Sequence, residues 1–501
     1  IEIIDIRIDP VYPILYGHYQ ENPVGSVTVR NDERRTIENL SVAFYVPQYM
    51  DRPHHSPSVG SLEPGASVEI PIFGLFTDEI LEVTEDGKRV SAQVQIDYEV
   101  RSNELGSSLD ATAVVQNRNA LTWTDDRKAA AFVTAKDNAV LRLAKQVAGV
   151  VRDQNSTALD NNFRTAVAVY ETLNLMGMQY VIDPDSSYIE LSTNENAQDY
   201  VQFPAQTLDY RAGDCDDLSI LYAALLQSVN VDAAFITIPG HIYTAFALSL
   251  TPEEAERTFS GSDRFIVVDG RAWIPVEATI MNEGFLQAWE VGIRQWREHE
   301  PSGSAGFFQV ESAWQTFAPV ASPLAEPDLS IPEPGRIARS YDNRLTSLVQ
   351  NQIRSQVSRL ERQIRDSGNN PAIVNRLGVL YARYGLLDEA MEHFGDLADR
   401  RQYGPAMINV GNIHFLRSSY ARALSYYERA AEVLDDDPTA VLGIARAQYE
   451  LENYSEAERT FAQVASADPA LADRFPHLGN ATDSTARASS AADRGPAIWE
   501  D

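Results

Sequence analysis

Among 501 residues there is one cysteine, Cys215. A single thiol excludes an intramolecular disulfide and any cysteine-rich zinc site. No run of about 18 uninterrupted apolar residues occurs, so no segment reads as a membrane-spanning helix. Basic residues are scarce: 41 Lys and Arg stand against 72 Asp and Glu, a formal net charge of −31. So acidic a chain argues against nonspecific nucleic-acid binding, which needs basic patches to neutralise phosphates. A content of 44% hydrophobic and 23% charged residues is that of a globular chain, and the length predicts two to four cores. The sequence opens on Ile1 rather than methionine. Read as a chain trimmed of a secretion signal, it is expected at an extracytoplasmic, periplasmic address.

Residues 1–118 alternate apolar and polar side chains with period two. The clearest stretches are "SVTVRN" (Ser26–Asn31), "LSVAFYV" (Leu40–Val46), "SVEIPIF" (Ser67–Phe73) and "VSAQVQIDYEV" (Val90–Val100). Turn signals such as Glu63-Pro64-Gly65 and Asp86-Gly87 separate them. The spacing predicts an immunoglobulin-like β-sandwich serving as spacer or docking module. From Trp123 the period becomes helical. Within 119–316 a helix over about Asp216–Ser228 precedes strands at Asp232–Ile238, Tyr243–Leu250 and Arg264–Gly270, an α+β pattern. A Pro-rich stretch at 317–338 reads as linker. Residues 480–501, rich in Ser, Ala and Asp, read as a disordered tail.

Between linker and tail, in 339–479, the chain repeats itself. Gly378, Gly411 and Ala445 recur at spacings of 33 and 34, as do Ala390, Ala423 and Ala457, and Phe394, Tyr427 and Phe461. A small residue, an alanine twelve positions on and an aromatic four further is the tetratricopeptide signature. It predicts three helical hairpins stacked as a solenoid, led by a helix over about Ser340–Asp366, with a surface for a protein partner.

Cys215 lies in "RAGDCDDLSILYAALLQSV", where a Gly-Asp turn opens an apolar helix. Unpaired N–H groups at a helix start favour a thiolate. Asp214, Asp216 and Asp217 act the other way unless they cap the helix. A buried cysteine is also a common small core residue. Cysteine chemistry needs an imidazole, and His241 in "PGHIYTAF" precedes a strand of the same region. An imidazole in turn needs an orienting acid. Glu277, set among apolar residues in "AWIPVEATI", requires a hydrogen-bond partner of its own. Asp269 sits in the same interval, at an Asp-Gly turn.

Gly-Asp-Cys opening a helix, Gly-His before a strand, and Trp-x-Pro-Val-acid-x-Thr closing the next together resemble the transglutaminase-like superfamily of papain-type fold. The resemblance covers roughly Asp160–Trp296. It implies that Cys215 is the nucleophile, His241 the general base and acid, and Glu277 the orienting group, where the family's usual acid is aspartate. It also places Tyr180, in "MQYVIDP", as an aromatic that helps bind the oxyanion. The expected chemistry is acyl transfer from an amide of a protein or peptide substrate, to water or to an amine, with no cofactor and no metal. The alternative expectation is a non-catalytic scaffold that keeps the fold for binding. Modules on both sides of the central domain suit an assembly in a bacterial envelope.

Overall fold

The computed structural model describes residues 1–152, 159–182, 197–259, 262–323, 326–481 and 498–501. The chain divides into two compact units: the first takes in Ile1–Val151, Asn162–Glu256 and 262–341, and the second takes in Asp342–Asp501 together with short stretches that include Arg152, Leu159–Asn161 and Arg257–Phe259.

The first unit opens with two antiparallel sheets. One joins β1 (Glu2–Ile8), β2 (Gly25–Arg30) and β6 (Ser67–Ile72) in the order β1-β2-β6. The other runs β4-β3-β7-β8, from β3 (Ile37–Tyr45), β4 (His54–His55), β7 (Lys88–Val100) and β8 (Asn103–Val115), with β5 (Val59–Leu62) on β3. The period-two pattern does what it predicts: Val27, Val29, Val42, Phe44, Val94 and Ile96 point inward and are fully buried. β8 escapes the pattern because its outer eight residues are exposed on both faces, so nothing selects alternation there. A short β9 (Ala120–Leu121) follows.

Helices α1 (Asn138–Arg152) and α2 (Asn161–Met176) precede β10 (Gln179–Tyr180) and β11 (Asp199–Tyr200). Then come α3 (Pro204–Tyr210), β12 (Ala212–Gly213) and α4 (Cys215–Gln227). After them lies an antiparallel sheet in the order β15-β16-β14-β13-β17, built from β13 (Ala233–Ile238), β14 (His241–Ala247), β15 (Ile266–Val268), β16 (Arg271–Val276) and β17 (Gly306–Gln309). Helix α4 packs on β13 and β14, and α5 (Phe285–His299) on β16. One helix before an antiparallel sheet is the α+β arrangement expected. Trp273 and Trp289 are fully buried in it.

The long helix α6 (Pro334–Asp366) leads into the second unit. It begins inside the stretch expected to be linker because Pro334 stands at its start, where a missing N–H costs nothing. Three helical hairpins follow: α7 (Pro371–Arg383) with α8 (Leu387–Asp399), α9 (Gly404–Leu416) with α10 (Tyr420–Val433), and α11 (Pro438–Glu450) with α12 (Tyr454–Ala467). The repeat spacing is physical. A Cβ on Gly411 would stand 2.6 Å from the Tyr427 ring, so the aromatic occupies the room a side chain would need. Gly411→Ala is expected to cost about 1–3 kcal/mol by overpacking, read as a fall of several degrees in the melting temperature of this unit. An unchanged melting temperature would mean the ring moves aside freely.

The stretch expected as a disordered tail, 480–501, is packed where it is described: at its start Ala481 is buried. Pro476–Asn480 forms a turn of 3-10 helix with Leu478 buried, and Ile498–Asp501 packs on the repeats. The intervening 482–497 lie outside the described residues.

Candidate active site

The Gly-Asp-Cys triplet is shaped by the helix it opens. Asp214 is the N-cap of α4 and accepts from the Asp217 backbone N–H at 3.4 Å; the Asp217 carboxylate accepts from the Asp214 N–H at 3.3 Å. This reciprocal cap satisfies two donors that a helix start leaves open. The other Asp217 oxygen accepts from the Gln202 N–H at 2.7 Å, tying the cap to the preceding chain. A Cβ on Gly213 would lie 2.5 Å from that of Asp217, so only glycine lets the capping carboxylate pass. Cys215 is thereby set at the first helical position, 4% exposed.

Two hydroxyls seat α4 on β14. Ser219 Oγ donates to the Ile242 carbonyl at 3.4 Å, and Thr244 Oγ1 donates to the Ser219 carbonyl at 3.2 Å. The helix that Cys215 opens and the strand that His241 opens are therefore fastened to each other. The backbone of Ile242, the residue after His241, acts on the Cys215 thiol in the opposite sense to burial, drawing its pKa down.

His241 is paired with Glu277. Its Nε2 lies 2.6 Å from Glu277 Oε2, and the other carboxylate oxygen accepts from the Thr279 N–H at 3.0 Å and its hydroxyl at 2.7 Å. The backbone of Glu277 is held as well, its N–H on the Ala288 carbonyl and its carbonyl on the Tyr170 hydroxyl. Glu277 is 2% exposed. Burial alone would raise its pKa, but the hydrogen bond and charge of His241, with the two Thr279 donors, hold it below the usual carboxylate value. An ionised carboxylate on Nε2 keeps the proton there and leaves Nδ1 as the acceptor. Asp269 is turned elsewhere: it takes positive φ in the turn after β15 and accepts from Gln309 at 2.8 Å.

β10 runs parallel to β12 with Tyr180 opposite Gly213, two residues before Cys215. Burial first, with the Asp214 charge adding to it, raises the Tyr180 hydroxyl to about 12, so it stays a proton donor at neutral pH. The Cys215 thiol is also pushed up, by burial first and the Asp214 charge second, with Glu277 and Asp199 adding to it. The helix-start advantage is outweighed, and the resting sulfur is a thiol rather than a thiolate.

Beneath it lies an acidic floor that the sequence presents only as a run of aspartates. Asp216 is fully buried, and burial followed by the Asp214 charge holds its carboxyl well above the usual range. The donor atoms of Asp214, Cys215 and Asp216 lie within 4.8 Å of one another, as a metal would require. Asp214 is engaged as the helix cap, and these three consecutive residues supply only part of a coordination shell. Asp216 carries a stability prediction instead. Its folded pKa exceeds the unfolded value near 3.8. Its contribution is therefore complete below that pH and lost as pH rises through the folded value. Asp216→Asn, fixed neutral, is expected to lose less melting temperature than the natural protein between about pH 4 and pH 8. Equal losses would mean Asp216 titrates normally.

Thr279 and Ser219 carry no signal on their own in the sequence; each shows its part only when strand and helix meet. Residues 415–474 match the tetratricopeptide repeat family. No curated protein matches the chain.

Proposed function

We propose that the central region catalyses acyl transfer at amide bonds of a protein or peptide, as a papain-type domain of the transglutaminase-like superfamily, with the tetratricopeptide repeats serving protein–protein interaction. The observation that carries this reading is the 2.6 Å contact of His241 Nε2 with a buried, ionised Glu277, one residue along β14 from Ile242, whose carbonyl accepts from Ser219 of the helix that Cys215 opens.

His241 Nδ1 accepts the thiol proton as the sulfur attacks the amide carbonyl carbon. The C–O π pair moves onto oxygen, where N–H groups at the start of α4 and the Tyr180 hydroxyl are the available donors. On collapse the C–N bond breaks, and the amine leaves with the proton from His241. A thioester on Cys215 remains. Water or a second amine, deprotonated by His241, then attacks the thioester and releases the thiol. Glu277 stabilises the imidazolium in both halves.

The raised thiol pKa and deep burial of Cys215 favour a second reading, a scaffold in which these residues are structural. A peptide mixture incubated with the protein and hydroxylamine separates the two. Thioester formation yields peptide hydroxamates or new carboxyl termini that Cys215→Ala does not produce. A product pattern identical in that variant, or no product, supports the scaffold.

A further inference from the structure

The residues Ile498–Asp501 are neither helix nor strand, yet three of their backbone groups, the Ile498 carbonyl and both the N–H and the carbonyl of Glu500, are bonded to asparagine side chains of the repeat unit. The Asn409 side chain is bidentate to Glu500: its Nδ2 donates to the Glu500 carbonyl at 2.7 Å and its Oδ1 accepts from the Glu500 N–H at 2.9 Å. Asn375 Nδ2 donates to the same carbonyl at 2.7 Å, and Asn412 Nδ2 donates to the Ile498 carbonyl at 2.7 Å. These asparagines sit on α7 and α9, almost completely buried. Asn375 stands three residues before Gly378 and Asn409 two before Gly411, so the two lie on the first helix of successive repeats, offset by one position.

Their amides are aimed by the repeats themselves. Asn409 Nδ2 also donates to Asn375 Oδ1 at 3.1 Å, and the fully buried Tyr427 hydroxyl donates to Asn412 Oδ1 at 2.8 Å. Buried amides need partners, and amides oriented in advance read a peptide backbone at little ordering cost. Side chains add a pattern. Ile498 packs on the cluster of Val441, Leu442 and Phe461, while Trp499 stacks on Phe394 with ring centroids 6.5 Å apart and planes 16° apart. Asp501 pairs with Arg383 at 3.3 Å.

One atom fits poorly. Trp499 Nε1 is buried with no acceptor among the described residues. An indole N–H left unpaired weakens the association relative to a ligand without it.

We propose that this face of the repeats is a receptor for an extended peptide of the pattern aliphatic–aromatic–acid–acid, and that the chain's own Ile498–Asp501 occupies it as a displaceable plug. A partner protein presenting such a segment, with an aromatic side chain that carries no orphaned donor, enters by displacing the plug. The inference stands apart from the Cys215 chemistry, and its readout does not involve that residue.

The test uses a fluorescein-labelled peptide of sequence Ala-Ile-Phe-Glu-Asp and the full chain, followed by fluorescence anisotropy. Ile498→Ala with Trp499→Ala removes the apolar side chains that seat the plug without touching the repeats, and the peptide is expected to bind this variant at least tenfold more tightly than the natural protein. Adding Asn409→Asp, which keeps the size but removes the donor, is expected to lose that gain; Asn375→Asp in the same background provides an independent check on the groove. Equal affinity for the natural protein and the plug variant overturns the plug. Binding that survives both asparagine changes overturns the receptor site. Concentration-dependent dimers that vanish in the plug variant would overturn occupancy in cis and assign the segment to a second copy.

Discussion

Cys215→Ala is expected to lower amide turnover by at least about a thousandfold, with the melting temperature almost unchanged. The size follows from chemistry. Removing the nucleophile from a nucleophile–base pair eliminates the covalent path and leaves only oxyanion binding and orientation, and single deletions in such sets cost about as much as removing the whole set. The small effect on stability follows from place. Cys215 is the first residue of α4, the cap belongs to Asp214 and Asp217, and alanine suits a helix. The measurement is hydroxamate formation per unit time, with thermal unfolding of both proteins alongside. Loss of turnover at constant melting temperature assigns the thiol to chemistry. Turnover that survives places any activity elsewhere.

Glu277→Gln carries the second large effect. The natural carboxylate accepts three hydrogen bonds, one from His241 and two from Thr279. A glutamine amide must turn its NH2 toward one of those donors. Facing His241, it would force Nε2 to accept and move the ring proton to Nδ1, the nitrogen that has to take the thiol proton. Facing Thr279, it would set an N–H against a backbone N–H. The first outcome removes the base, and the second removes a buried hydrogen bond. Turnover is expected to fall by about 10² to 10⁴, as for the orienting acid of other triads, and stability by about 1–3 kcal/mol. The pH dependence has a definite sign. Because the folded pKa of Glu277 lies below its unfolded value near 4.5, the stability it contributes is present above that pH and lost as pH falls through the folded value. Acid unfolding of Glu277→Gln should therefore depend less steeply on pH below about 4.5. A variant that turns over normally would make Glu277 structural.

The parts of the molecule legible in the sequence are those where one periodicity or one spacing is enforced by burial. Strands β2, β3, β6 and β7 each bury one face, so alternation exposes them; β8, solvated along most of its length, leaves no such trace. The repeats are visible because Gly378 and Gly411 must make room for Phe394 and Tyr427. At the candidate site, the pairing of His241 with Glu277 across 36 residues follows from a buried carboxylate's need for a donor, and Asp269 lies elsewhere for the plain reason that its turn takes positive φ. What stays hidden depends on contacts that no local pattern records. The raised thiol of Cys215 comes from burial and from Asp214, Glu277 and Asp199, of which the sequence sets only Asp214 beside the cysteine. The seat of Ile498–Asp501 depends on asparagines whose one sequence trace is a polar residue inside the first, apolar helix of each of two successive repeats.

The claim on which the rest turns is that Cys215 reacts through His241. The rate of Cys215 alkylation by iodoacetamide, followed by intact mass from pH 4 to 9 in the natural protein and in His241→Ala, tests it most directly. Because burial and Asp214 hold the thiol neutral at rest, the account predicts a phase below the free-thiol pKa of about 8.5 that depends on imidazole as proton acceptor. At about pH 7 the natural protein should react at least tenfold faster than His241→Ala, and it should still be the faster at pH 9, because burial and Asp214 keep the thiol of the variant largely protonated there. Superimposable profiles, or a thiol that reacts in neither protein until it unfolds, would contradict the account and leave Cys215 a core residue.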